Sequence, residues 1–274
     1  TKQRNFNRNL FSLDGEYLDE SLQKKIYKCI IIYTCCWGFE RTDTIHTGRY
    51  IMKNKKYYAA YEERYKTAHE QGVSWASNQN SPIVLEIIKK YNIQPEHELL
   101  EIGCGEGRDS RAVLENGYHL MATDISREAV AYCKKTMPEF KEHFSVLDCL
   151  SDHLDELFDF IYGIAVIHML VLDEDRDGFY QFISNHLKSD GLALICTMGD
   201  GDFEMQSDIS RAFEIQERNH ESGTMMVAGT SCRMVSFKTF DDELSRNGLK
   251  VIEKGITSAL PEFSSLMFAV VQKK

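Results

Sequence analysis

Between Glu101 and Asp109 the chain reads Glu-Ile-Gly-Cys-Gly-Glu-Gly-Arg-Asp, with Gly103, Gly105 and Gly107 at alternate positions. Glycines let backbone approach a ligand closely, and a helix that opens behind them offers free N–H groups to a polar or anionic group. About twenty residues beyond the first glycine, Asp124 supplies a carboxylate where a nucleotide-binding unit places its ribose diol. A dinucleotide fingerprint needs G-x-G-x-x-G, with its third glycine at a close helix–strand contact. Here the spacing is G-x-G-x-G and position 108 is Arg, which disfavours NAD. Alone, the glycines could form a structural tight turn, and Asp124 could cap a helix. A strand before, a helix after and the acid at the right distance favour a nucleotide site.

The elements that must hold these residues follow from periodicity and punctuation. Tyr57 to His69 reads as a helix. Ser81 with Pro82 opens another, with Ile83, Val84, Ile87 and Ile88 on one face. Then come a strand at Leu99–Ile102, a helix at Asp109–Asn116, a strand at Tyr118–Thr123 and a helix at Ser126–Thr136. Further strands are expected at Phe144–Leu147, Phe160–Ile164 and Leu192–Thr197, with a helix at Asp175–Leu187 closed by Gly191. Residues 199–238 break this alternation as an insertion, and Thr239 starts a capping-box helix. Leu249–Gly255 and Ser264–Gln272 finish as a hairpin-like pair around Pro261. Alternating strands and helices predict an α/β fold, a doubly wound and mainly parallel sheet of seven strands, with helices on both faces and an antiparallel last strand.

Composition bounds the rest. The 274 residues, 43% hydrophobic with four prolines, describe a globular chain and exclude collagen or disorder. A net charge of -10 weighs against a nucleic-acid partner, whose affinity comes largely from Lys and Arg. Eight cysteines without a C-x-x-C pair suggest a reducing cytoplasm. The apolar run Ile26–Phe39 is too short to span a bilayer. Residues 1–51 read as an N-terminal extension, either packed on the core or preceding a functional start at Met52. Residues 52–274 form the main domain, with 52–95 as a helical cap.

LLEIGCGEGRDS and GYHLMATDIS resemble the first two motifs of class I S-adenosylmethionine-dependent methyltransferases, and the resemblance runs from about Tyr57 to Lys274. The wording is most similar to small-molecule enzymes of the tellurite-resistance and thiopurine type. The resemblance implies that Gly103 and Gly105 line the methionine part of S-adenosylmethionine and that Glu101 orients its amino group. It further implies that Asp124 binds the ribose, Ile125 packs on the adenine, Asp148 accepts the adenine amine and the Cys149 backbone reads a ring nitrogen. Backbone around Gly163 would face the cofactor amino group, and Trp75 would form an aromatic lid.

Methyl transfer needs in-line positioning, exclusion of water and, for some acceptors, a base. His168 is the base candidate by position, against the competing reading of a hydrogen-bonded structural histidine; Tyr162, Asp200 and His220 stand behind it. A thiolate or other soft anion requires no base. Substrate contacts are expected from Tyr58, Tyr61, Arg64, Tyr65 and Trp75 in the cap, and from Met225, Met226 and Arg233 in the 199–238 insertion. The expected partner is a small-molecule methyl acceptor, with no membrane and no metal: no Cys/His spacing suggests one. A non-catalytic cofactor-binding regulator and an RNA or protein methyltransferase are the alternatives.

Overall fold

The structure is a computed structural model that describes residues 56–77, 79–257 and 265–274. The expected extension 1–51, a start at Met52 and the Pro261 loop lie outside the described residues.

The cap opens with a 3-10 turn at Tyr57–Ala60, then α1 (Tyr61–Glu70) and α2 (Pro82–Lys90). The alternating unit follows as β1 (Glu98–Ile102), α3 (Arg108–Glu115), β2 (His119–Asp124), α4 (Arg127–Thr136) and β3 (Phe144–Val146). Next come β4 (Phe158–Ile164), a 3-10 turn at Ile167–Met169, α5 (Asp173–His186) and β5 (Leu187–Met198). The insertion holds β6 (Met205–Gln206), β7 (Ile215–His220), β8 (Gly223–Ala228) and β9 (Arg233–Met234). The chain continues through α6 (Phe237–Arg246), β10 (Leu249–Thr257) and β11 (Leu266–Lys273).

Seven strands form one sheet in the order β10-β11-β5-β4-β1-β2-β3. β3, β2, β1, β4 and β5 are parallel, and β11 runs antiparallel between β5 and β10. The expected fold class is therefore correct. Alternation along the strands sorts side chains to two faces. Leu100, Ile102 and Ile161 pack with Phe179 and Ile183 of α5 and Phe240 and Leu244 of α6. Glu101 and Tyr162 face the other way, toward Ser110 of α3. Burial on both faces explains why β4 and the second half of β5 read as continuous apolar runs.

Several boundaries differ from expectation for local reasons. α5 ends at His186, and Gly191 lies inside β5, where a Cβ would sit 3.0 Å from the Phe158 carbonyl oxygen. That glycine marks a close strand approach rather than a helix stop. α6 starts at Phe237, not Thr239, because the Ser236 hydroxyl accepts from the Thr239 N–H. Ser81 does precede α2, but its hydroxyl donates to Asp109 Oδ2 at 2.8 Å instead of capping. In the insertion, β7 and β8 form an antiparallel hairpin and β6 pairs with β9.

Candidate active site

The glycine loop leaves β1 through three left-handed residues, Gly103, Gly105 and Gly107, at φ +75°, +54° and +80°. A Cβ at Gly103 would lie 2.5 Å from Val166 Cγ2, and one at Gly105 would lie 2.8 Å from the Tyr65 hydroxyl. The loop is thus held between the β4 turn and α1, at conformations that suit glycine.

Asp124 ends β2 beneath this loop. Its Oδ2 accepts from Gly105 N and its Oδ1 from Ser126 N, each at 2.8 Å. Burial pushes its carboxyl up to about 6, against these two backbone bonds. Glu101, also buried, accepts at Oε2 from Ser110 Oγ (2.5 Å) and Tyr162 Oη (3.0 Å). Burial and the neighbouring Asp109 push it up to about 8. Asp148 follows β3; its Oδ2 meets the Lys56 ammonium and the Tyr58 hydroxyl, and its Oδ1 accepts from Leu150 N. Burial raises the Cys149 thiol, with the Asp148 charge adding to the effect.

These groups surround one cleft of about 220 Å³ at the C-terminal ends of the parallel strands, the place where open α/β sheets bind ligands. Trp75, Glu101, Gly103, Gly105, Asp124, Ile125, Asp148 and Cys149 all line it. So do Tyr58, Tyr61 and Tyr65 from the cap, and Val166, Met169 and Leu170 beyond β4.

Two of the expected residues do not themselves line the cleft. Gly163 does not line the cleft: it shares the Ile161 face of β4, and a Cβ there would sit 3.4 Å from Phe179 Cζ. The wall at that level is formed by Ile164, Ala165 and Val166 instead, with Ala165 itself left-handed at φ 58°. His168 is buried in the Ile167–Met169 turn and does not line the cleft either. Burial, helped by the positive charge of Arg176, lowers it to about 3, so it stays neutral. It is not placed to take a proton from an acceptor.

The secondary candidates are also accounted for. Tyr162 donates to Glu101, and burial raises it strongly. Asp200 accepts from Asp202 N and Phe203 N in a turn. His220 bonds the Ser74 carbonyl and stacks on Trp75 at 5.5 Å. Arg64 is buried and donates twice to the Ala228 carbonyl, Met225 packs on Ala68, Met226 is exposed, and Arg233 binds the Val171 carbonyl and Asp173. No residue of 199–238 lines the cleft among the described residues; the β7–β8 hairpin braces α1 and the Trp75 segment from outside.

Glu106, Arg108 and Asp109, which the sequence did not single out as site residues, also line the cleft. Glu106 accepts from Trp75 N (2.7 Å) and Ala76 N (2.6 Å) and lies 2.8 Å from His69 Nε2. Its position inside the glycine triplet was the available signal, since a charged side chain there must find partners once the loop is covered.

Among the described residues no helix is long and apolar enough to cross a membrane, and no cluster of His, Cys, Asp and Glu could hold a metal ion. A family model described as "Methyltransferase domain" matches residues 100–193. The chain is 25% identical over 200 residues to Phosphoethanolamine N-methyltransferase 1 of Zea mays, covering 68% of this chain and 38% of that protein. It is 28% identical over 124 residues to Ubiquinone biosynthesis O-methyltransferase of Rickettsia conorii, covering 43% and 40%. The chain thus spans about two fifths of the length of these curated relatives. Among solved structures, Burkholderia thailandensis 1,6-didemethyltoxoflavin-N1-methyltransferase, with 1,6-didemethyltoxoflavin and S-adenosylhomocysteine bound, is similar at TM-score 0.61 and 14% identity, covering 85% of this chain and 93% of that one. Residues 100–193 therefore match the model of the methyltransferase-domain family, and the fold around them is similar to that of S-adenosylmethionine-dependent methyltransferases of known structure.

Proposed function

We propose that this chain is an S-adenosylmethionine-dependent methyltransferase acting on a small molecule. The carrying observation is the pair of buried carboxylates, Glu101 and Asp124, at the ends of adjacent parallel strands, with the left-handed glycine loop between them. The residues fit the cofactor. Glu101, with Asp109 beside it, suits an ammonium group, and Arg108 at the same end suits a carboxylate. Asp124 keeps acceptor capacity for a ribose diol after its two backbone bonds, since an ionised carboxylate has about four lone-pair sites. Asp148 and Ile125 fit the adenine end, Asp148 sharing its Oδ2 with Lys56 until an amine arrives.

The cofactor would supply an already activated methyl group on a sulfonium. The chain's own contribution is to orient the two reactants in line and exclude water. Tyr58 and Tyr65 are both raised by burial, so they remain protonated and serve as walls and hydrogen-bond donors rather than bases. With His168 away from the cleft, an acceptor that arrives as a neutral amine or a soft anion fits the site best, because neither must lose a proton before attack. The N-methyltransferase relative and the N1-methylating structural neighbour agree with the amine reading. The acidic net charge supports a small-molecule rather than a nucleic-acid partner, and five free cysteines among the described residues support a reducing, cytoplasmic setting.

Thermal unfolding with S-adenosylmethionine, S-adenosylhomocysteine and NAD tests the donor site. A ligand at a hundred times its dissociation constant stabilises the folded state by about 2.7 kcal/mol. The first two ligands should raise the midpoint and NAD should not. No shift with either, in protein that mass spectrometry shows to carry no bound nucleoside, overturns the reading.

A further inference from the structure

Glu106 stands out among the cleft carboxylates because its partners all belong to the cap. Its side chain is only 4% exposed, and a buried carboxylate is tolerated only when it is paired or hydrogen-bonded. Here Oε1 accepts from Trp75 N and faces His69 Nε2, while Oε2 accepts from Ala76 N. His69 is held in turn by Glu128 Oε1, 2.7 Å from its Nδ1, and its ring stacks on Tyr132 at 4.4 Å. The segment so gripped carries Trp75 to the cleft, where His220 and the Arg64 guanidinium meet its ring. Gly105 and Gly107 flank Glu106 on either side at positive φ. One carboxylate therefore joins the shape of the glycine loop to the position of the Trp75 segment.

We propose that Glu106 is a positioning residue that fixes Trp75 at the cleft, so that its effect on cofactor affinity passes through the cap. This rests on the donor-site reading above. Glutamine is the informative replacement: it keeps the shape but turns one acceptor oxygen into an NH2 group facing a backbone N–H, so only one arm of the grip survives.

The test is a double-mutant cycle on the whole chain, read by calorimetric binding of S-adenosylhomocysteine, with thermal midpoints recorded for every variant. Glu106→Gln and Trp75→Ala should each weaken binding by roughly tenfold or more, the scale of one charge-assisted hydrogen bond. The combined variant should bind no more weakly than Trp75→Ala alone, because both changes disable the same device. Losses that simply add would mean that Glu106 acts on the ligand directly, and unchanged affinity in Glu106→Gln would mean that it does nothing for the site; either overturns the proposal. If Glu106→Gln fails to fold, His69→Phe removes one contact to Glu106 while leaving the glycine loop intact. Its smaller loss should likewise vanish in the Trp75→Ala background, and a loss that persists there overturns the proposal. Unmutated protein that binds no S-adenosylhomocysteine overturns the donor-site reading itself, a result distinct from binding that ignores Glu106.

Discussion

Glu101 and Asp124 are carboxyls whose folded-state values, about 8 and about 6, lie above their ordinary values of 4.5 and 3.8. The folded chain then binds these protons more tightly than the unfolded chain. Their contribution to stability is complete below the ordinary values and is lost as pH rises, through 3.8 to 6 for Asp124 and 4.5 to 8 for Glu101. Glu101→Gln, which removes the larger cost, should raise the thermal midpoint of the ligand-free protein at pH 8 and change it little at pH 4.5. A cationic ligand group needs Glu101 ionised, so S-adenosylmethionine binding should tighten from pH 6 to 8 and release protons, measurable by calorimetry in buffers of different ionisation enthalpy. Asp124→Ala should weaken the same binding by about 1.5–3 kcal/mol, and it should also lower stability because Gly105 N and Ser126 N lose their acceptor. Asp124 was legible in the sequence because strand end and glycine spacing jointly fix where it stands. His168 was not, because distance along the chain says how near a residue is to the strand end and nothing about which side of a 3-10 turn its ring takes.

At the scale of elements, the turn between β4 and α5 forms one wall of the cleft, and other elements hold its carbonyls. Arg176 of α5 donates to the Ile167 and Leu170 carbonyls and makes a two-pronged pair with Glu243 of α6, at 2.8 and 2.6 Å. Ser231 donates to the Met169 carbonyl, and Arg233 to that of Val171. Both members of the pair are fully buried, so removing one strands the other. Arg176→Met should cost about 3–5 kcal/mol of stability by urea unfolding, with much of that recovered in Arg176→Met/Glu243→Leu. Helices and strands of the alternating unit were readable from periodicity within a few residues. The network was not, since its members lie far apart in sequence and nothing local distinguishes Arg176 from a solvated arginine. The β7–β8 hairpin escaped for a related reason: its buried face rests on α1, and only contact with that distant helix selects Met225 over Met226.

For the molecule as a whole, the alternation of apolar runs and capped helices was enough to give a doubly wound sheet, because few arrangements bury strands that are apolar on both faces. The cap's working arrangement was beyond reach from pattern alone. Gly103 shows how closely the two are joined: Gly103→Ala would drive a Cβ to 2.5 Å from Val166 and hold a left-handed residue at a penalty of roughly 1–2 kcal/mol. It should lower the thermal midpoint as well as the cofactor affinity, whereas a loss of affinity alone would show that the loop is free to adjust.

The place of β11 has a consequence for the chain during its synthesis. β5 and β10 are both translated before the strand that bridges them, and neither bonds to the other. Until Leu266–Lys273 emerges, β5 presents an open ladder of backbone donors and acceptors, and β10 has no neighbour in the sheet. Such bare edges invite pairing with other chains. A nascent chain halted before Leu266 is therefore expected to be a client of chaperones, since only β11 covers the open side of β5 and ties β10 into the sheet.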